Sequence, residues 1–210
     1  MNDNSEKARQ KVMRARAISG SKEARSVYSA WAETYDHDVY GTLKVSGSDK
    51  IADLLHDYVA DIRSARVLDA GCGTGAVAER LKSLGFDLID GIDLSPEMLQ
   101  VANARKLYRN LVEADLNERF ELPESPYSAI ISAGTFTTGH VGAKGFRNLF
   151  SHLQPGGLMA CVIAIPVWEG DQFASLVNEL PGDLLTDRVE ATIPDGEPDA
   201  HMLVLRKNQT

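Results

Sequence analysis

From Ala65 to Ile165, short apolar runs alternate with stretches whose apolar residues recur every three or four positions. The runs ARVLDAG, FDLIDGIDL, RNLVEAD, YSAIISAG and GGLMACVIAI read as strands. Their apolar residues stand in consecutive runs rather than in strict alternation, as expected of strands buried on both faces. Between them, GAVAERLKSLG, SPEMLQVANARKL and GAKGFRNLFSHL carry the helical period, and FASLVNEL follows as a further helix. Ser95 is placed to cap the second helix, with Pro96 at its first position, and Gly85 suits the left-handed turn that ends the first. The stretch RVEATIPDGEPDAHMLVLRKN reads as two strands joined by PDGEPD. A connection that short holds no crossover helix, so this pair is predicted antiparallel. Upstream, Tyr28, Trp31, Ala32 and Tyr35 share one helical face. Ile51, Leu54, Leu55, Tyr58 and Val59 define another, with Ser48 or Asp49 placed to cap it. Residues 1–26 are polar with scattered Lys and Arg, which predicts a solvated or frayed helix.

Strand–helix alternation of this kind predicts an α/β fold, a mostly parallel sheet with helices on both faces. Its ligand site lies at the carboxyl ends of the strands, where strand order reverses. The chain of 210 residues is 43% hydrophobic and 25% charged, ordinary for one globular domain and unlike a disordered or fibrous chain. The longest apolar stretch, Leu158 to Val167, is far short of the roughly 20 residues of a membrane span. The N-terminus has no apolar core that would make it a secretory signal, and two cysteines make no disulfide framework. A cytoplasmic location, without membrane partners, is the expectation. The net charge of -8 is uneven: residues 1–26 hold seven basic and three acidic side chains, and the remainder is strongly acidic. Only the arm could attract a polyanion, so a nucleic-acid partner is not expected.

The sharpest chemical signal is VLDAGCGTG, Val67 to Gly75, between a strand and a helix. Glycines there let the backbone turn sharply and allow a ligand to approach without a Cβ in the way. The spacing is G-x-G-x-G, not the G-x-G-x-x-G of dinucleotide sites. Asp69 precedes the loop, where it repels a pyrophosphate and favours a cation. Asp93 ends the next strand, where a carboxylate can accept hydrogen bonds from ribose hydroxyls. The pattern asks for a ribose and a positive charge, with no phosphate.

These motifs resemble the class I S-adenosylmethionine-dependent methyltransferases over about residues 47 to 207. VLDAGCGTG is similar to that superfamily's first motif, GIDLSPEML to its second, EADL to its adenine-contacting segment and LQPGG to the turn before its fifth strand. YSAWAETYDHDVYG and SAGTFTTGHVG resemble the small-molecule methyltransferases of the type 11/12 group. The resemblance implies a Rossmann-like seven-stranded sheet with an antiparallel last strand. It implies a helical arm and lid over residues 1–46 and an S-adenosylmethionine-binding domain over 47–210. The cofactor would be S-adenosylmethionine and the product S-adenosylhomocysteine. Gly71, Cys72, Gly73 and Gly75 would shape the methionine site, with Asp69 acting on the amino group through bridging water or backbone. Asp93 would take the ribose, Leu94 and Met98 the adenine face, and Asp115 and Leu116 the adenine edge. Ser132, Ala133 and their neighbours to Thr135 would border the methyl group, and Trp31 and Tyr35 would close over it from the lid.

Transfer from a sulfonium needs few catalytic groups, because the leaving group is already activated; alignment and exclusion of water suffice. His140, after the fourth strand, is the candidate base, with Tyr35 as a second candidate. Tyr28 reads as packing and Asp36 and Asp38 as solvated. No metal site is expected. The expected acceptor is a small molecule. The alternatives are a methyltransferase acting on RNA or protein, or a non-catalytic S-adenosylmethionine-binding regulator. Acceptor identity and the choice between monomer and homodimer stay open.

Overall fold

The computed structural model describes residues 3–170 and 173–209. Seven strands form its centre: β1 (Arg66–Ala70), β2 (Leu88–Asp93), β3 (Leu111–Glu113), β4 (Tyr127–Phe136), β5 (Leu153–Ala164), β6 (Gly182–Glu190) and β7 (Ala200–Lys207). They lie in the order β3-β2-β1-β4-β5-β7-β6. The first five run parallel, and β7 is antiparallel to both its neighbours. The Rossmann-like sheet and the antiparallel closing pair are therefore as predicted. The first of that pair begins at Gly182, six residues before the predicted Arg188. Its apolar residues Leu184 and Val189 are exposed, so this edge strand lacks the apolar run that marked the others.

Adjacent residues of each central strand serve opposite layers, as the pleat requires. Val67 and Ile131 point to the face covered by α3 (Gly47–Tyr58) and α4 (Ala76–Ser83), where Ile51, Leu55, Leu81 and Phe86 are buried. Leu68 and Ile130 point to the face covered by α6 (Ala143–Ser151) and α8 (Phe173–Glu179). There Phe136, Phe146 and Phe173 pack mutually with ring centroids 5.3–5.7 Å apart. A further helix, α5 (Pro96–Ala104), starts where predicted: the Ser95 hydroxyl accepts from the Met98 N–H at 3.3 Å. The cap predicted for α3 is absent; that helix starts at Gly47, and the Ser48 hydroxyl meets the Tyr40 hydroxyl instead. A short helix, α7 (Ile165–Gly170), follows β5. Among the described residues no helix is long and apolar enough to cross a membrane.

The N-terminal segment is more firmly docked than its polarity predicts. Helix α1 (Asp3–Arg16) and α2 (Ser21–Asp36) bury Ala8, Ala15, Ile18 and Val27, and α2 runs into a π-helical segment, His37–Thr42. Helix α1 is thus not frayed; small apolar residues among the charges provide its contact face. The turn between the helices is tied to the loop after β4, where the Gly20 N–H donates to the Gly139 carbonyl at 3.1 Å. Gly139 has φ +78°, and a Cβ there would lie 1.6 Å from the Ile18 carbonyl oxygen. Both facts exclude a side chain. Gly139→Ala is therefore expected to lift the α1–α2 turn and leave the sheet intact. Stability should fall by about 1–3 kcal/mol. Trypsin cleavage after Arg16 and Lys22 should accelerate, while the circular dichroism of the folded protein is unchanged. Unaltered cleavage would show that this contact does not hold the turn.

Candidate functional site

Strand order reverses between β1 and β4, and the chain concentrates its unusual chemistry at the carboxyl ends of those strands. After Ala70 the backbone turns back over β2, with the N–H groups of Gly71 and Cys72 donating to the Ile92 carbonyl at 2.8 and 3.0 Å. Gly73 follows with φ +50°, and a Cβ on it would meet no atom within 4 Å. It would instead project into open space, so a side chain here would take space from a ligand rather than pack. The Gly73 N–H donates to Asp93 Oδ2 at 2.8 Å, and Asp93 Oδ1 accepts from the Ser95 N–H at 2.8 Å. One carboxylate thus sets both the glycine turn and the start of α5. Burial pushes its pKa up against the lowering effect of those N–H donors.

Asp69 lies beneath the turn, fully buried. Its Oδ2 accepts from the Tyr108 hydroxyl at 2.7 Å. Its Oδ1 is the one buried side-chain nitrogen or oxygen among the described residues with no hydrogen-bond partner. Burial raises its pKa to about 7, opposed by the Tyr108 hydrogen bond and assisted by the Asp93 charge. An unsatisfied carboxylate oxygen at this depth costs free energy, so its persistence points to a missing cationic or protic partner. Tyr108 was not anticipated. It lies between α5 and β3, and no spacing in the sequence links it to Asp69.

Strand β4 breaks register against β5 between Ser132 and Phe136. This bulge turns Ala133, Gly134 and Thr135 toward the site. Ser132 and Thr135 lock it by donating to the Ala70 carbonyl at 2.7 and 3.1 Å.

Two cavities meet above these groups. The first encloses about 700 Å³, including space open to solvent, and is lined by Gly71, Gly73, Asp93, Leu94, Met98, Asp115 and Leu116, with Tyr35, Ala133 and His140 opposite. Most of the sequence-predicted site residues are therefore assembled around one space. Others stand apart. Ser132 is wholly buried, and Cys72 faces the core with its thiol pKa pushed up by burial. Gly75 caps α4, where a Cβ would crowd Tyr108. Trp31 lines the second cavity, its indole N–H donating to Asp38 Oδ2 at 2.8 Å.

The N-terminal segment carries more of the site than its sequence suggested. Asp38 is not solvated: it also accepts from Lys11 Nζ at 2.6 Å and from the Thr34 hydroxyl at 3.2 Å. Asp36 pairs with Arg105 and accepts from the Thr74 hydroxyl at 2.5 Å, which fastens α2 to the glycine turn. Tyr28 borders both cavities, and its hydroxyl lies 3.0 Å from His140 Nε2. Burial lowers the pKa of His140. A glycine cradle, an unpartnered buried carboxylate oxygen, a carboxylate at the end of β2 and apolar walls at Leu94 and Met98 suit a nucleoside that bears a cation.

Residues 67–157 match a protein-family model described as a methyltransferase domain. Human methyltransferase-like protein 27 is 33% identical over 153 residues, which cover 72% of this chain and 62% of that protein. A malonyl-[acyl-carrier protein] O-methyltransferase of Bacillus cereus is 31% identical over 125 residues, 59% of this chain and 46% of the relative. The chain thus spans less than two thirds of the length of either. Among solved structures, a magnesium protoporphyrin IX methyltransferase from Synechocystis with bound S-adenosylmethionine superposes with a TM-score of 0.70. That match has 16% identity and covers 91% of this chain and 99% of the other.

Proposed function

We propose, from the premise that residues 67–157 belong to the methyltransferase domain family, that the chain binds S-adenosylmethionine in the first cavity and methylates a small-molecule acceptor. The observation that carries this reading is the unpartnered Asp69 oxygen beneath a glycine cradle. When bound, S-adenosylmethionine supplies a methyl group already activated by its sulfonium. In this reading Asp69, buried outside the cavity lining, acts on the amino group through bridging water or backbone, and Gly71 and Gly73 admit the methionine chain. Asp93 accepts from the ribose hydroxyls, a role compatible with its two backbone hydrogen bonds because each oxygen keeps a lone pair. Leu94 and Met98 wall the adenine, and Asp115 and the Leu116 N–H read its edge. Ala133, Gly134 and Tyr35 border the reacting carbon and exclude water. Residues 1–46 act as a lid over a domain of residues 47–210.

A small acceptor is supported by the second cavity, and by a structural neighbour whose name specifies a porphyrin. The RNA alternative loses part of its support, because three of the arm's seven basic residues pair within the chain. Arg25 pairs with Glu113, Lys11 with Asp38, and Arg16 with Asp199. Calorimetry should show saturable binding of S-adenosylmethionine and S-adenosylhomocysteine and none of NAD. Binding of NAD without S-adenosylmethionine would overturn the reading. Binding without turnover across a broad metabolite pool would favour the regulator.

A further inference from the structure

The second cavity, about 930 Å³ with its open mouth included, lies between the lid and β5, and meets the first at Tyr28, Tyr35, Ala133 and Gly134. Val39, Leu43, Val45, Val162, Ala164 and Ile193 supply most of its wall. Two of the aromatic members have their polar atoms engaged, Trp31 with Asp38 and Tyr40 with Ser48. Among the described residues its only charged lining members, Arg16 and Asp199, pair with each other at 3.6 Å. The Asp199 carboxylate also accepts from the Thr192 N–H at 2.7 Å and the Thr192 hydroxyl at 2.8 Å. A charged acceptor would find no unpaired counter-charge here, and burying it would carry the full desolvation cost.

At the junction the hydrogen-bond directions can be assigned. His140 Nδ1 lies 2.9 Å from the Thr138 carbonyl oxygen, which can only accept, and 3.0 Å from the Thr137 hydroxyl, which can accept or donate, so a proton on Nδ1 satisfies both contacts. Nε2 is then the acceptor, and the Tyr28 hydroxyl donates to it at 3.0 Å. The ring faces Tyr28 across 5.5 Å between centroids. The Tyr28 oxygen keeps its lone pairs for a group arriving from the second cavity.

We propose that the second cavity holds an uncharged acceptor with an apolar body and a phenol-like hydroxyl, whose proton passes through Tyr28 to His140. This rests on the cofactor reading above. The acceptor O–H breaks and its proton joins the Tyr28 oxygen as the Tyr28 proton moves to His140 Nε2. The acceptor oxygen forms the new O–CH₃ bond while the S–CH₃ bond breaks, its electron pair returning to sulfur. A neutral thioether and an imidazolium remain. Burial keeps His140 neutral and able to accept at neutral pH, and it raises the pKa of Tyr28, which relays a proton without ionising. The other titratable groups facing this pair are Arg16, Tyr35 and Tyr40 of the N-terminal segment, Asp93 at the end of β2 and Asp115 beyond β3. An amine acceptor would arrive as a cation, and a carboxylic acid as an anion needing no base.

Three probes with one body and different heads test the class: 4-propylphenol, 4-propylbenzoate and 4-propylbenzylamine. Calorimetry on the protein saturated with S-adenosylhomocysteine should show the phenol binding at least about tenfold tighter than either ion. Ala164→Leu, which fills the cavity, should abolish phenol binding while S-adenosylhomocysteine still binds. Equal or tighter binding of an ion, or no binding of the phenol, overturns the assignment. Lack of S-adenosylhomocysteine binding removes the cofactor reading and this one with it. The relay has its own readout. Phenol methylation should be flat with pH from about 6.5 upward, the ordinary histidine value being the upper limit for His140. In Tyr28→Phe and His140→Gln it should fall roughly 10²–10⁴-fold and climb with pH toward the phenol pKa of about 10. Profiles parallel to the parent's would overturn the relay.

Discussion

Asp69→Asn is expected to leave the ligand-free protein's stability relative to the parent constant below pH 4 and to raise it progressively up to pH 7. In the unfolded chain Asp69 ionises near its ordinary value of 3.8; in the folded protein it holds its proton until about pH 7. Between those values the folded state binds the extra proton, so the parent loses stability as pH rises. Above pH 7 both states are ionised and the penalty is complete. Roughly three pH units correspond to about 4 kcal/mol, at about 1.4 kcal/mol per unit. For a chain of this size that is on the order of 10 °C in melting temperature. The asparagine does not titrate, keeps an acceptor for Tyr108 and turns an amide toward the unpartnered position. Any fixed packing difference shifts the whole comparison, whereas the titration appears as a slope. Scanning calorimetry of both proteins from pH 4 to 8 reads it directly. A pH-independent difference would mean that Asp69 is ionised in the folded protein throughout. The same carboxylate should make S-adenosylmethionine bind the parent more tightly as pH rises toward 7, because a cation stabilises the ionised form. Asp69→Asn should bind it more weakly at pH 8.

How much of this was legible in the sequence depended on how far apart the interacting residues lie. Strands β1, β2, β4 and β5 were readable because each is buried on both faces, so burial writes itself into consecutive residues such as Ala129, Ile130 and Ile131. The edge strand β6 has one neighbour and exposed Leu184 and Val189, so its start was missed. The site residues on the strand ends and glycine turn were readable because their spacing within a strand–loop–helix unit sets their geometry. Asp36 with Thr74, Tyr28 with His140 and Tyr108 with Asp69 are contacts across 38, 112 and 39 residues. No local pattern encodes such pairs, which is why the first two Asp and Tyr residues read as solvated and as packing.

The charge asymmetry was visible from the start, but its use was not. A basic segment followed by an acidic body resembles a polyanion anchor. In the folded chain the segment spends Lys11, Arg16 and Arg25 on the body's own acids or on the lid's. The Arg16 and Arg25 pairs are largely exposed, so each is worth at most about 1 kcal/mol, whereas Lys11 meets a largely buried Asp38. The apolar contacts of Ala15, Ile18 and Trp31 hold the lid more firmly than the charges do. The charges set where it docks, at the rim of the two cavities.

Asp93→Ala is expected to weaken S-adenosylmethionine by about 100-fold and to do so in a way that identifies the ribose as the lost partner. Hydrogen bonds to a charged group contribute about 1.5–3 kcal/mol each, and one such bond is 10- to 100-fold in affinity. The buried position of this carboxylate places the effect at the upper end. Asp93 also accepts from the N–H groups of Gly73 and Ser95, so its removal leaves two donors unsatisfied and loosens the turn. A simple loss of affinity could therefore reflect a disordered cradle. The comparison that separates the causes uses adenosine and 2′,3′-dideoxyadenosine as probes. The parent should prefer adenosine by tenfold or more, because only adenosine offers hydroxyls to the carboxylate. In Asp93→Ala the two should bind alike, however weak both become. If the variant retains the parent's preference while losing affinity, Asp93 shapes the turn and some other group reads the ribose. If neither affinity nor preference changes in the folded variant, the ribose does not lie against the end of β2 at all.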